Sequence, residues 1–143
     1  NEDYFKMYAS DTGLFVTLAF KDKDITENVI YEKLLNDKLS ANLGYVYENM
    51  IAQMLRASGK DLYYHTIPYA EGKKYYEVDF LISDRHKIPP IEVKSSGYKS
   101  HKSLDEFSAK YSERIMNRYV IYTKDYKREN GVEYLPVYMT MFI

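Results

Sequence analysis

Cysteine is absent from the 143 residues, which excludes a disulfide framework, a thiolate nucleophile and a cysteine-ligated zinc centre. Tryptophan is absent as well, and glycine (6) and proline (4) are sparse, so no Gly/Ser-rich or Pro-rich linker divides the chain. Charge of one sign is also lacking. With 20 basic and 21 acidic residues the formal net charge is -1, and no global field draws the protein onto nucleic acid. No apolar run approaches the length of a membrane span and no signal peptide is visible. No membrane partner is therefore expected, and the expected compartment is the cytoplasm. An initiator Met is missing at Asn1, as expected of a piece of a longer polypeptide. What remains is one domain's worth of chain, long enough to bury a core. Its 17 tyrosines suit half-buried strand positions, where the ring packs and the hydroxyl stays wet.

The stretch Tyr75 to Ser96, YYEVDFLISDRHKIPPIEVKSS, reads as two strands joined by a tight connection. Alternation places Val78, Phe80 and Ile82 on one face of the first arm, with Glu77, Asp79 and Leu81 on the other. In the second arm Ile91 and Val93 face one way, Glu92 and Lys94 the other. With Asp84 to Lys87 as a four-residue loop, Asp79 falls directly across from Glu92, and Glu77 across from Lys94. Pro89-Pro90 is a point where a bulge could shift that register by one. Opposed carboxylates on neighbouring strands repel, and a cation between them relieves the repulsion, carboxylate oxygens being the usual ligands of Mg²⁺. The alternative is a polar strand face carrying Glu77–Lys94 as a surface pair.

Elsewhere the pattern is of helices around strands. Phe5 to Tyr8 reads as an extended piece, and Ser10 or Asp11 can cap a helix with Leu14, Phe15 and Leu18 on one face. After a turn at Lys21–Asp24, Thr26 can cap a second helix. A long helix is expected from Leu39 to about Ser58, closed by Gly59, with Leu39, Leu43, Val46, Tyr47, Met50 and Met54 as its main stripe. Glu48 lies at the margin of that stripe beside Gly44, Ile51 and Leu55, where it either reaches into a cleft or is an ordinary exposed glutamate. Gly44 inside a helix hints at close packing or access on the same flank. Leu62–Thr66 reads as a strand, and His65 as a structural or exposed histidine. Ser103-Leu104-Asp105-Glu106 fits a capping box for a helix burying Leu104, Phe107 and Tyr111. The strand Tyr119–Thr123 follows, so the order implies a parallel crossover. Lys124 to Gly131 reads as a charged turn, and Val132 to Tyr138 as a last strand that Pro136 assigns to an edge. From Arg85 to Arg128 there are eleven basic and five acidic residues interleaved with tyrosines. This is either a phosphate-contacting surface beside the acidic residues or a solubilising one.

A helix glutamate (Glu48), then Asp79, then Glu92-Val93-Lys94 resembles the PD-(D/E)xK, or restriction-endonuclease-like, nuclease superfamily. The segments KMYASDTGL (6–14), GYVYEN (44–49), EVDFLI (77–82), IEVKSS (91–96) and YLPVY (134–138) together resemble the C-terminal domain of bacterial and archaeal AAA-type ATPases. That resemblance implies an α/β fold. Its mixed central sheet would have about four to five strands flanked by helices, over residues 39–143, with a helical N-terminal extension, 1–38, packed on the same domain. It implies a magnesium-dependent (or Mn²⁺-dependent) endonuclease-like hydrolase with Glu48, Asp79, Glu92 and Lys94 as catalytic residues. Asp79, Glu92 and Glu48 would be the metal ligands, and Lys94 would orient the attacking water or offset developing charge. It further implies nucleic acid, DNA first, as substrate, an ATPase domain in the same full-length chain, and oligomers formed through that ATPase. No GxxxxGK[ST] loop occurs, so ATP would bind elsewhere in that longer chain. The alternative is a non-catalytic nucleic-acid- or protein-binding module that regulates the ATPase.

Overall fold

The computed structural model describes residues 5–20, 44–68, 75–83, 87–95 and 101–143, the side chains of 17–20 excepted. The expected turn at Lys21–Asp24, the helix after Thr26, the start of the long helix at 39–43, and residues 84–86 of the expected hairpin loop lie outside the described residues. Segments rich in tyrosine and β-branched residues form strands, as such side chains favour a half-buried pleated surface. They are β1 (Leu62–Pro68), β2 (Tyr75–Ile82), β3 (Pro90–Val93), β4 (Arg118–Tyr122), β5 (Lys127–Glu129) and β6 (Val132–Pro136). They make one six-stranded mixed sheet in the order β1-β2-β3-β4-β6-β5. Helices α1 (Thr12–Phe20), α2 (Gly44–Ala57) and α3 (Lys102–Lys110) complete the described elements, with short 3₁₀ turns at Ser112–Arg114 and Val137–Phe142. The architecture is α/β, with one strand more than expected.

The β2–β3 register is the expected one, with Phe80 paired to Ile91 and Leu81 to Pro90, so Pro89-Pro90 introduces no slip. β3 and β4 run parallel across α3, as the strand–helix–strand order requires. β6 corrects the edge assignment from Pro136. It lies between β4 and β5, and Pro136 is buried. β5 pairs with Val132 to Tyr134 alone, so the missing Pro136 donor costs no ladder bond on that side. The stretch expected to be a charged turn contains β5, folded back on β6 through Asn130 (φ 50) and Gly131 (φ 73). A two-residue loop with both residues in the left-handed region is the connection Asn-Gly favours.

α2 is buried on two sides. Ile51, Ala52 and Leu55 pack with Phe80, Ile82, Ile91 and Ile121 of the sheet. Val46 and Tyr47 pack with Phe15 and Val16 of α1. The sheet-facing stripe is thus centred on Ile51 and Leu55, both at 0% exposure, rather than on Met50 and Met54. That rotation carries Glu48 from the margin of the buried face toward the sheet. α2 ends as Gly59 predicts. Gly59 takes a φ of 84, its N–H donates to the Arg56 carbonyl, and the Lys60 N–H reaches back to the Leu55 carbonyl, the Schellman closure. Asp11 caps α1 through Leu14 N–H (2.9 Å). The capping box at Ser103 does not form, because α3 already begins at Lys102 with His101 in the cap position and no side-chain cap bond. Its inner face, Leu104 and Phe107, is buried as expected. No described helix is long and apolar enough to cross a membrane.

Candidate acidic site

The site begins with an irregularity in β2. Tyr63 pairs with Leu81, but His65 pairs with Val78. Two steps along β1 therefore match three along β2, and Asp79 and Phe80 together oppose Tyr64. A bulge of this kind inserts one residue and re-aims side chains. It also corrects the expected alternation. Val78 now packs with Leu81 and Phe107, whereas Phe80 and Ile82 pack against α2. Asp79 is turned to the α2 side and lines a cleft of about 200 Å³ with Gly44, Tyr45, Glu48, Val93 and Ser95. A methyl group on Gly44 would meet Ser95 Oγ at an ordinary 3.8 Å, so close packing is not what places glycine there.

A strap formed by residues 5–11 passes on the other side of Asp79, where Phe5, Lys6 and Tyr8 line a second cavity with Tyr64, Asp79 and Phe80. Asn49, 2% exposed, holds it by accepting from Ala9 N–H (2.7 Å) and donating to the Ala9 carbonyl and Thr12 Oγ1 (3.0 Å each). The amide side chain thus completes the hydrogen bonding of a backbone that has no strand beside it. The strap delivers Lys6 and Tyr8. The Tyr8 hydroxyl donates to Glu48 Oε1 at 2.6 Å. Lys6 Nζ donates to the same oxygen at 2.9 Å, ion-pairs with Glu77, and lies 3.9 Å from Asp79 Oδ1.

Glu48, Glu77 and Asp79 each offer an oxygen within 4.8 Å of the others. Of the four residues expected to converge, the structure brings Glu48 and Asp79 together. It adds Glu77, which had been placed opposite Lys94, and pairs it with Lys6 instead. Glu92 and Lys94 pair with each other, Nζ to Oε1 at 2.5 Å. Alternation turns Glu92 away from the α2 side, where its neighbours Ile91 and Val93 pack. Lys6, Glu77 and Tyr8 were missed as site residues. They reach the site through tertiary contacts, and no residue spacing in the sequence marked them. The two histidines within the described residues are structural. His65 Nε2 meets the Tyr111 hydroxyl at 3.2 Å, and His101 Nε2 the Tyr134 hydroxyl at 2.9 Å.

Burial pushes the Asp79 carboxyl up to about 7, opposed by the Val93 N–H it accepts at 2.8 Å, with the charges of Glu48 and Glu92 raising it further and Lys6 lowering it. Asp79 can therefore give or take a proton near neutrality. Burial works against the Lys6 charge, but its bonds to Glu77 and Glu48 outweigh that, so its ammonium is held more firmly than usual. Burial and the bond to Glu48 push the Tyr8 hydroxyl up, keeping it a donor.

The donor set fits a hard divalent cation, because three carboxylates around one ammonium leave a net negative charge and oxygen ligands suit Mg²⁺ or Mn²⁺. Glu92 Oε2, buried and without a hydrogen-bond partner among the described residues, adds to the negative field one strand away.

Residues 43–140 match the family model described as a domain of unknown function, DUF4143. No curated protein matches the chain.

Proposed function

The chain belongs to the DUF4143 family, and we propose that its acidic site is the centre of a metal-dependent phosphodiester hydrolase of the PD-(D/E)xK type. DNA is the first substrate to test, and we read the domain as one carried by an AAA-type ATPase in the same polypeptide. The observation that supports this reading is the convergence of Glu48, Glu77 and Asp79 from two elements onto one small volume.

These three residues would hold the cation. When bound, it polarises a phosphate oxygen and lowers the pKa of water. The protein's own contribution is positional. The Val93 N–H fixes one oxygen of Asp79, and the Tyr8 hydroxyl fixes one oxygen of Glu48. Asp79, whose carboxyl burial pushes up to about 7 in the metal-free protein, would give up its proton on becoming a ligand, so cation binding should tighten as pH rises through 7. The cleft between Gly44, Val93 and Ser95 gives access to it.

With Mn²⁺ and labelled single- and double-stranded DNA, Asp79→Ala is expected to lower cleavage by about a hundredfold or more while the fold is retained. Cleavage equal to that of the unaltered chain would sink the reading. One observation favours a second reading, a non-catalytic module. The motif lysine, Lys94, is tied to Glu92 rather than directed at Asp79. On that reading nucleic-acid or protein binding survives Asp79→Ala, Glu92→Ala and Lys94→Ala alike.

A further inference from the structure

We propose that the Lys6 ammonium and a divalent cation are mutually exclusive occupants of the Glu48–Glu77–Asp79 cluster, which makes the 5–11 strap a displaceable plug. The inference rests on the metal-site reading above.

Lys6 Nζ contacts all three carboxylates at once, at 2.9 Å from Glu48, 3.9 Å from Asp79, and in ion-pair contact with Glu77. The cluster's oxygens lie within 4.8 Å of one another, which leaves room for one cation at liganding distance, about 2.0–2.6 Å from each oxygen. An ammonium and a divalent ion sharing that volume would repel at close range in a partly buried setting. The resident ammonium must therefore leave when the metal enters. Lys94 cannot take its part, because its ammonium is held by Glu92.

The strap is built for such a movement. Its downstream end is fastened to α2 by the Asn49 bonds to Ala9 and Thr12. Upstream, Phe5 and Met7 are 73% and 82% exposed, so withdrawing them uncovers little apolar surface. What holds that half is the ion pairing of Lys6, the same ammonium over the Tyr64 ring at 5.6 Å, the Tyr8–Glu48 bond and the Tyr8 ring against Phe80 at 5.5 Å. The first of these is what a divalent cation cancels.

Calorimetric titration of Mn²⁺ into the unaltered chain, Lys6→Met and Lys6→Arg tests this. The methionine keeps an apolar stem without the charge, and the arginine keeps the charge. Lys6→Met should bind Mn²⁺ at least about tenfold more tightly than the unaltered chain, and Lys6→Arg no more tightly. Equal affinity in the unaltered chain and Lys6→Met overturns the competition and leaves the metal site standing. No binding to either removes the metal reading and the competition with it. A second measurement leaves the site residues untouched. A fluorophore on Met7→Cys should lose anisotropy as Mn²⁺ binds, and binding heat with unchanged anisotropy overturns the plug.

Discussion

At the level of single residues, Asp79 carries a cost that the fold accepts. Its carboxyl is pushed to about 7, first by burial and then, against the Val93 bond, by its acidic neighbours. Because the folded value lies above the ordinary one of 3.8, folding favours the protonated form. The stability this group contributes is complete below about pH 4 and is lost as pH rises through 7. Asp79→Asn keeps an acceptor for Val93 and removes the charge. It should therefore stabilise the metal-free protein by about 1–3 kcal/mol at pH 8, with the gain shrinking toward pH 4. Urea denaturation at the two pH values in EDTA reads this directly. An Asn variant less stable than the parent at pH 8 would show that Asp79 is instead held by favourable charge contacts. A residue retained against stability is what a functional site predicts.

Among the elements, the hairpin register, the Gly59 closure, the Asp11 cap and the parallel crossover were legible in the sequence, because each rests on local chemistry a few residues long. The bulge in β2 was not. Nothing in Glu77-Val78-Asp79-Phe80 breaks the alternating pattern, and the extra residue is revealed only by pairing with β1. The centre of the buried face of α2 was misplaced for a related reason. The helix is covered by the sheet on one side and by α1 on the other, so a single stripe does not describe it. β5 had a readable signal, the Asn130-Gly131 pair, outweighed by the charge of its strand. Glu77 and Lys6 joined the site through tertiary contacts that no spacing rule encodes. The element that organises these contacts is the strap, and Asn49 is its fastening. Asn49→Ala removes three hydrogen bonds and leaves the Ala9 backbone without partners. A loss of about 2–3 kcal/mol is expected, with trypsin cutting at Lys6 much faster than in the parent. Unchanged stability and protection would show that Lys6 and Tyr8 hold the strap unaided.

Across the whole molecule, the acidic site and the basic residues of β5 lie far apart along the sheet. The acidic site belongs to β2, second from one edge, whereas Lys127 and Arg128 lie on β5 at the other edge, just after the exposed Lys124. Four strand spacings separate β2 from β5, about 19 Å. The last basic residues of the Arg85–Arg128 region, Lys127 and Arg128, are therefore not beside the acidic site. At 0.1 M salt the Debye length is about 10 Å, so the two regions should act almost independently. A triple reversal, Lys124→Glu with Lys127→Glu and Arg128→Glu, should leave Mn²⁺ affinity within about twofold of the parent. If the basic edge engages nucleic acid, the same protein should bind it more weakly, with the slope of log K against log salt flattened by up to about 3. A fall in Mn²⁺ affinity would mean the two ends are coupled through the sheet. An unaltered salt slope would assign the basic edge to solubility and leave the α2 side as the face that meets a substrate.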